Sequence, residues 1–202
     1  MNTAALLESL QEDLASIAAG ARLSMVQVRS GRDGAGTGTI VASDGQIVTN
    51  AHVARHGRLQ VVLQDGRRVD ATLEAVEPLL DLALLTVRVP GLPAIPLGSS
   101  GQLRSGELVL SLGHPWGVEG GATLGVVIGV GADLPENPQP WRELVAVSLH
   151  LRPGHSGGPP IDTRGRLLGI NTMMAGPQVG LAVPVDAVDR FLRATIPRDL
   201  AR

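Results

Sequence analysis

Two hydrophobic periods divide the chain. Leu6, Leu10, Leu14 and Ile17 fall at three- and four-residue spacing, which predicts an amphipathic helix over residues 3–18 with Thr3 as its N-cap. Such a stripe reads as a helix packed on its own domain, with self-association as the alternative. From residue 23 the apolar positions gather into short β-like runs separated by turn residues. In "TGTIVASDGQIVTN" an Asp44-Gly45 turn divides two apolar runs, and "LQVVLQDGRRVDATLEAV" repeats the device at Asp65-Gly66; both are hairpin signatures. Further strands are expected in "DLALLTVRV", "ELVLSLG", "ATLGVVIGV", "ELVAVSL", "RLLGINT" and "VGLAVPV". Many short strands with turns at regular intervals point to a sandwich or barrel, not to βαβ units. A last helix is expected over 186–194, with Asp186 as N-cap and Val188, Phe191 and Leu192 facing inward. The Pro-rich segment "GADLPENPQPW" (131–141) reads as an exposed loop, either a bland connection or a specificity or regulatory loop.

Composition narrows the classes. The 202 residues are 44% hydrophobic and 18% charged with a formal net charge of -2, enough chain for a substantial core without staples. The absence of Cys excludes disulfides and thiolate metal sites. A near-neutral charge argues against a nucleic-acid binder. All the cationic side chains are Arg, which reads as compositional bias. No apolar run has the length of a membrane-spanning helix. The N-terminus lacks a basic leader, and Glu8, Gln11, Glu12 and Asp13 interrupt any signal-like core. The expectation leans to the cytoplasm, or outside it if a targeting segment lies beyond this chain.

The chemistry gathers at "RPGHSGGPP" (152–160), where Gly and Pro surround one hydroxyl, Ser156. A serine needs a base to become a nucleophile, histidine suits that task, and a buried carboxylate suits holding its tautomer. The histidines are His52, His56, His114, His150 and His155. His52 stands where the apolar run of "IVTNAHVAR" gives way to polar residues, a place where scaffolds carry functional side chains. Asp81 is set among Leu79, Leu80, Leu82, Leu84 and Leu85. A carboxylate there is costly to bury without a partner. It either caps or kinks the strand start or meets an imidazole N–H. A metal site at His114, His150 and His155 has little support, since they lack HExxH spacing and a nearby carboxylate.

The order His52, Asp81, Ser156 is that of chymotrypsin-type enzymes. The chain resembles the trypsin-like serine proteases, most of all the bacterial HtrA/Deg branch. "TNAHV", "DLALL" and "PGHSGGP" match the segments around that family's catalytic His, Asp and Ser. "LVLSLGHPWG" resembles its strand ending in G-N-P-F-G, and "RLLGINT" and "VGLAVPVDAV" resemble the strands after the nucleophile. The likeness covers about residues 23–195. It implies an all-β fold of two perpendicular six-stranded antiparallel barrels, about 23–95 and 105–185, with an N-terminal helix in 1–22 and a C-terminal helix over about 186–195.

The resemblance also implies a function. A His52-Asp81-Ser156 triad would hydrolyse peptide bonds, of unfolded or damaged proteins, through an acyl-enzyme and without a metal or other cofactor. The backbone of Gly154, His155 and Ser156 would form the oxyanion hole. Leu151 and Met174 would line the S1 pocket with His150 near its base. No acid is expected there, so an apolar P1 residue such as Val, Leu, Met or Ala follows. The alternative is a weak or inactive member that binds peptides as a chaperone or scaffold. His155 stands where the family usually has Asn. The 202 residues show no PDZ module, which most members carry. Family trimers often use N-terminal aromatics, absent here, so a trimer would rest on the Leu stripe.

Overall fold

The computed structural model describes residues 2–31, 34–55, 57–134 and 137–195, so His56 lies outside the described residues. Helix α1 (Thr3–Arg22) opens the chain. Its cap is Asn2 and not Thr3: the Asn2 amide oxygen accepts from the Ala4 N–H at 3.2 Å, placing Thr3 already inside the first turn. The helix also runs past residue 18, because Ala18, Ala19 and Ala21 favour it more than Gly20 opposes it. Only the second half of the Leu stripe packs. Leu14, Ile17 and Ala18 lie against the core, whereas Leu6, Leu7 and Leu10 stay exposed.

Strands β1 (Met25–Ser30), β2 (Gly34–Ala42), β3 (Gln46–Thr49), β4 (Leu59–Val62), β5 (Arg68–Glu77) and β6 (Leu82–Thr86) close into an antiparallel barrel in the order β1-β2-β3-β6-β5-β4. Both expected hairpins are present, β2–β3 and β4–β5. Strand β1, absent from the candidate strands, closes the barrel by pairing with β2 and β4. β6 starts only after Asp81, which is a turn residue.

A second six-stranded antiparallel sheet comprises β7 (Leu108–Gly113), β8 (Gly121–Gly131), β9 (Leu144–Val147), β10 (Pro160–Ile161), β11 (Gly169–Gly176) and β12 (Val179–Pro184), in the order β10-β7-β8-β9-β12-β11. It curls until its outer strands meet, the Leu168 N–H donating to the Pro160 carbonyl at 2.8 Å. β10, too short to announce itself as an apolar run, follows the Ser156 loop directly.

Helix α2 (Val185–Thr195) buries Val188, Phe191 and Leu192 as expected, together with Val185 and Ala187. Asp186 is not its N-cap. It lies in the first turn, and its carboxylate accepts from Ser100 N–H at 3.3 Å and Gly101 N–H at 2.8 Å, tying α2 to the connection between β6 and β7. One hydrophobic core joins the parts. Val48, Leu82 and Leu84 of the first barrel meet Leu110, Leu112, Ile161 and Ile170 of the second sheet, with Ala21 of α1 and Phe191 of α2 in the same cluster. No helix among the described residues is long and apolar enough to cross a membrane.

Candidate active site

The Ser156 loop lies across β2 of the first barrel. The Thr37 N–H donates to the Ser156 carbonyl at 2.8 Å. The hydroxyls of Thr37 and Thr39 donate to the carbonyls of Gly154 and Gly157 at 2.7 and 3.0 Å. From the other side the His114 N–H and the Trp116 N–H donate to the carbonyls of Gly154 and Pro153, each at 3.1 Å. The Arg152 guanidinium covers the Trp116 ring at 4.5 Å. Two glycines are required by this approach. Gly154 has φ +102, and a Cβ there would fall 2.1 Å from the His114 carbonyl oxygen; Gly157 has φ +84, and a Cβ would fall 1.9 Å from the Thr37 oxygen.

The loop begins with a turn in which the His155 N–H donates to the Arg152 carbonyl at 2.9 Å. Pro153 and Gly154 are its central residues, the arrangement that favours Pro followed by a glycine of positive φ. The N–H groups of Gly154 and Ser156 have no hydrogen-bond partner among the described residues. Each carbonyl around them is occupied, so these two donors are the ones left for a ligand.

His155 is buried, and its ring bonds back to Arg152. Its Nδ1 accepts from the Arg152 N–H at 3.1 Å, and burial, the leading influence, holds its imidazole below the ordinary value. The ring thus closes the same turn that its backbone closes. His114 is buried as well, with Nδ1 3.0 Å from the Thr37 hydroxyl, and burial again lowers its pKa.

Facing the loop, the chain leaves β3 at Thr49 and turns through Asn50 to His52. His52 and Asp81 meet twice: ring Nδ1 lies 2.8 Å from Asp81 Oδ2, and the His52 N–H donates to Oδ1 at 3.0 Å. A third donor is one that sequence reasoning missed. The Thr172 hydroxyl, from β11, donates to Asp81 Oδ2 at 2.6 Å. Burial pushes the Asp81 pKa up, but the donors from His52 and Thr172 outweigh it and hold the carboxyl below the ordinary carboxylate value. The Nδ1 contact to an ionised carboxylate fixes the proton on Nδ1 and leaves Nε2 as the basic nitrogen. Both readings of Asp81 from the sequence apply: it kinks the strand start, with φ +53, and it meets an imidazole.

Ser156 is brought to this pair through Thr172. Its hydroxyl points at the Thr172 carbonyl at 3.4 Å, a weak contact, and shares no hydrogen bond with His52. Thr172 therefore touches Asp81 with its side chain and Ser156 with its backbone. Nothing in the spacing of "RLLGINT" marks it; its only signal is a polar residue closing an apolar run.

The residues expected around S1 separate. Leu151 is buried with its N–H 3.1 Å from the Met174 sulfur, and it packs beside Gly180. His150 is exposed, its Nδ1 2.8 Å from the Pro177 carbonyl. Past the end of β9 the chain bends at Ser148 and Leu149, and it buries Leu149 and Leu151 while leaving His150 exposed. Among the described residues, no group of three or more His, Cys, Asp or Glu side chains has the arrangement of a metal site.

An antiparallel β fold of paired six-stranded units, with a Ser loop held against a His–Asp pair, defines the class of the trypsin-like serine peptidases. Residues 36–170 match the model of the trypsin-like peptidase domain, and the chain belongs to that family. Its relatives are of HtrA type. It is 36% identical over 168 residues to the mitochondrial serine protease HTRA2 of Drosophila pseudoobscura pseudoobscura, covering 81% of this chain and 39% of that protein. It is 34% identical over 176 residues to the putative serine protease HhoA of Synechocystis, covering 81% and 45%. Among solved structures, the HtrA-type protease AlgW with a tripeptide superposes with a TM-score of 0.83 at 28% identity, over 89% of this chain and 62% of that one. The serine endoprotease from Yersinia pestis gives 0.79 at 28% identity, over 91% and 66%. The chain thus spans less than half the length of these two sequence relatives.

Proposed function

We propose that this chain is a serine endopeptidase acting through His52, Asp81 and Ser156. One observation carries the reading: the Asp81 carboxylate holds the imidazole by Nδ1 on one side of the Ser156 loop, while two unpartnered N–H groups, of Gly154 and Ser156, lie on that loop. Base, nucleophile and oxyanion donors are the three parts acyl transfer needs.

The chemistry follows from these positions. Rotation of the Ser156 hydroxyl away from the Thr172 carbonyl brings it to His52 Nε2, a tightening expected when substrate arrives. The oxygen attacks the peptide carbonyl as Nε2 takes its proton, and Asp81 stabilises the resulting imidazolium. The carbonyl oxygen, now an anion, receives the N–H groups of Gly154 and Ser156. Nε2 then gives the proton to the leaving amine, and the C–N bond breaks. Water repeats the sequence on the acyl-enzyme, yielding a carboxylic acid and free Ser156. Leu151 and Met174 bound an apolar P1 pocket, and His150 lies outside it. Unfolded polypeptides are the substrates, since an extended segment is needed to reach the cleft. The exposed Leu6, Leu7 and Leu10 of α1 are the face for self-association, including the trimer the family suggests.

Reduced, unfolded casein tests this. The chain should cleave it after apolar residues, read from fragment termini by mass spectrometry, and Ser156→Ala should not. Binding of casein without cleavage by the wild-type chain would instead establish the peptide-binding alternative.

A further inference from the structure

Asp81 adopts φ +53, a region uncommon for residues other than glycine, although Asp visits it more readily than most. That angle is the rotation about the N–Cα bond, which together with ψ sets the two peptide planes that meet at its Cα. The later plane is held within the first barrel: the Asp81 carbonyl accepts from the Asn50 side chain at 3.0 Å and the Ala51 N–H at 3.2 Å. The earlier plane is held at its N–H by the Pro78 carbonyl, at 3.2 Å. Its carbonyl, that of Leu80, accepts from Nη2 of Arg142, which comes from the segment that leads into the second sheet's β9.

Arg142 is an unusual residue to find there. It stands two residues before β9, and only 3% of its surface is exposed. A buried guanidinium is costly unless its donors are used. Nη1 donates to the Gln139 side chain at 3.1 Å, Nη2 serves Leu80, and Nε has no partner among the described residues. The loop before it is folded to deliver it. The Asn137 side chain donates to the carbonyls of Ala132 and Arg142, both at 2.9 Å, and accepts from the Gln139 N–H at 2.9 Å. Outside its own loop, the buried guanidinium thus serves one backbone carbonyl, next to the carboxylate that holds His52.

We propose that Arg142 is a positioning residue for the triad: by anchoring the Leu80 carbonyl it fixes the peptide plane that sets the strained φ of Asp81, and so aims the carboxylate at His52 Nδ1. The proposal rests on the triad reading above, and it makes the fit of residues 137–142, which lead into the second sheet's β9, a condition for the geometry of the first barrel's acid. Without the anchor, the Leu80 carbonyl turns to solvent, φ relaxes, and the imidazole loses its guide. An ammonium does not replace it, because only the planar fork reaches Gln139 and Leu80 together.

The test uses the whole chain and two readouts. Proton NMR reports the low-field resonance of the His52 Nδ1 proton, assigned by its absence in His52→Ala, and peptide hydrolysis reports kcat and KM separately. Arg142→Met should lose or displace the resonance and lower kcat about 10²-fold with KM little changed, the scale of a modest misplacement. Arg142→Lys should shift both in the same direction by less, and it decides the matter if the methionine variant does not fold. An undisturbed resonance and kcat in a folded Arg142→Met, or in Arg142→Lys where only that variant folds, overturns the proposal while leaving the triad reading intact. A resonance that depends on Arg142 in a wild-type chain that cleaves nothing overturns the peptidase reading and upholds the positioning role.

Discussion

His155 shows how a single substitution is absorbed when its surroundings use the backbone. A histidine beside the proposed nucleophile looks reactive in a sequence. In the structure the residue is 3% exposed and its imidazole accepts from the Arg152 N–H, so it braces the Arg152–His155 turn. The brace has a pH sign. Burial lowers the folded-state pKa of His155 and of His114 below the ordinary value of 6.5. The unfolded chain therefore takes up protons first, and stability is full above about pH 6.5 and falls as the pH drops through the lowered folded values. Each such proton contributes a slope of at most about 1.4 kcal/mol per pH unit. Urea unfolding between pH 7.5 and 5 should show His155→Asn with a shallower loss than the wild type. Equal slopes would mean that His155 is not buried neutral. Ser156 and Asp81 were legible as candidates because one sits among turn formers and the other among leucines. Thr172 was not, because a hydroxyl at a strand position carries no pattern until the fold sets it beside a carboxylate.

At the scale of elements, periodicity located most strands and both helices but not their limits. The hairpins at Gly45 and Gly66 were readable because a turn needing positive φ leaves a residue signature. The ends of α1 were not, since Asn2 and Thr3 are both competent caps and only the hydrogen bond to Ala4 N–H separates them. β10 is two residues long and is defined by its partner β7, not by its own composition. The Leu stripe of α1 also concealed a division: Ile17 packs on the shared core, whereas Leu6 is exposed, as is Leu7 beside the stripe at 60%. Ile17→Ala should accordingly cost about 1–2 kcal/mol, below the range for a fully buried site, and Leu7→Ala about 0.5 kcal/mol or less. Chemical denaturation of the two variants checks the contrast, and a reversed order would show that α1 docks by its other face.

Across the whole molecule, the site exists only where the two sheets meet. Asp81 and His52 come from the first barrel, Ser156 and Thr172 from the second sheet, and β2 holds the Ser156 loop through Thr37 and Thr39. The same boundary is filled by a common core that includes both helices. Such a molecule should unfold as one unit, giving a single calorimetric transition whose van't Hoff and calorimetric enthalpies agree. Two resolved transitions would show that each sheet is stable without the other. This assembly is what the sequence could not display: the motifs appear in order along the chain, but the contacts that bring Ser156 to His52, or Arg142 to Leu80, join positions with no local relation.

The central claim is that Ser156 is a nucleophile made competent by His52 and Asp81. Its most direct measurement is covalent labelling with a fluorophosphonate, followed by mass spectrometry of the modified peptide. The wild-type chain should carry one adduct, on Ser156, with none on Ser156→Ala and labelling slowed by about 10⁴-fold in Asp81→Asn, as expected when the imidazole loses its tautomer guide. An unlabelled wild-type chain, or an adduct that persists in Ser156→Ala, would contradict the account.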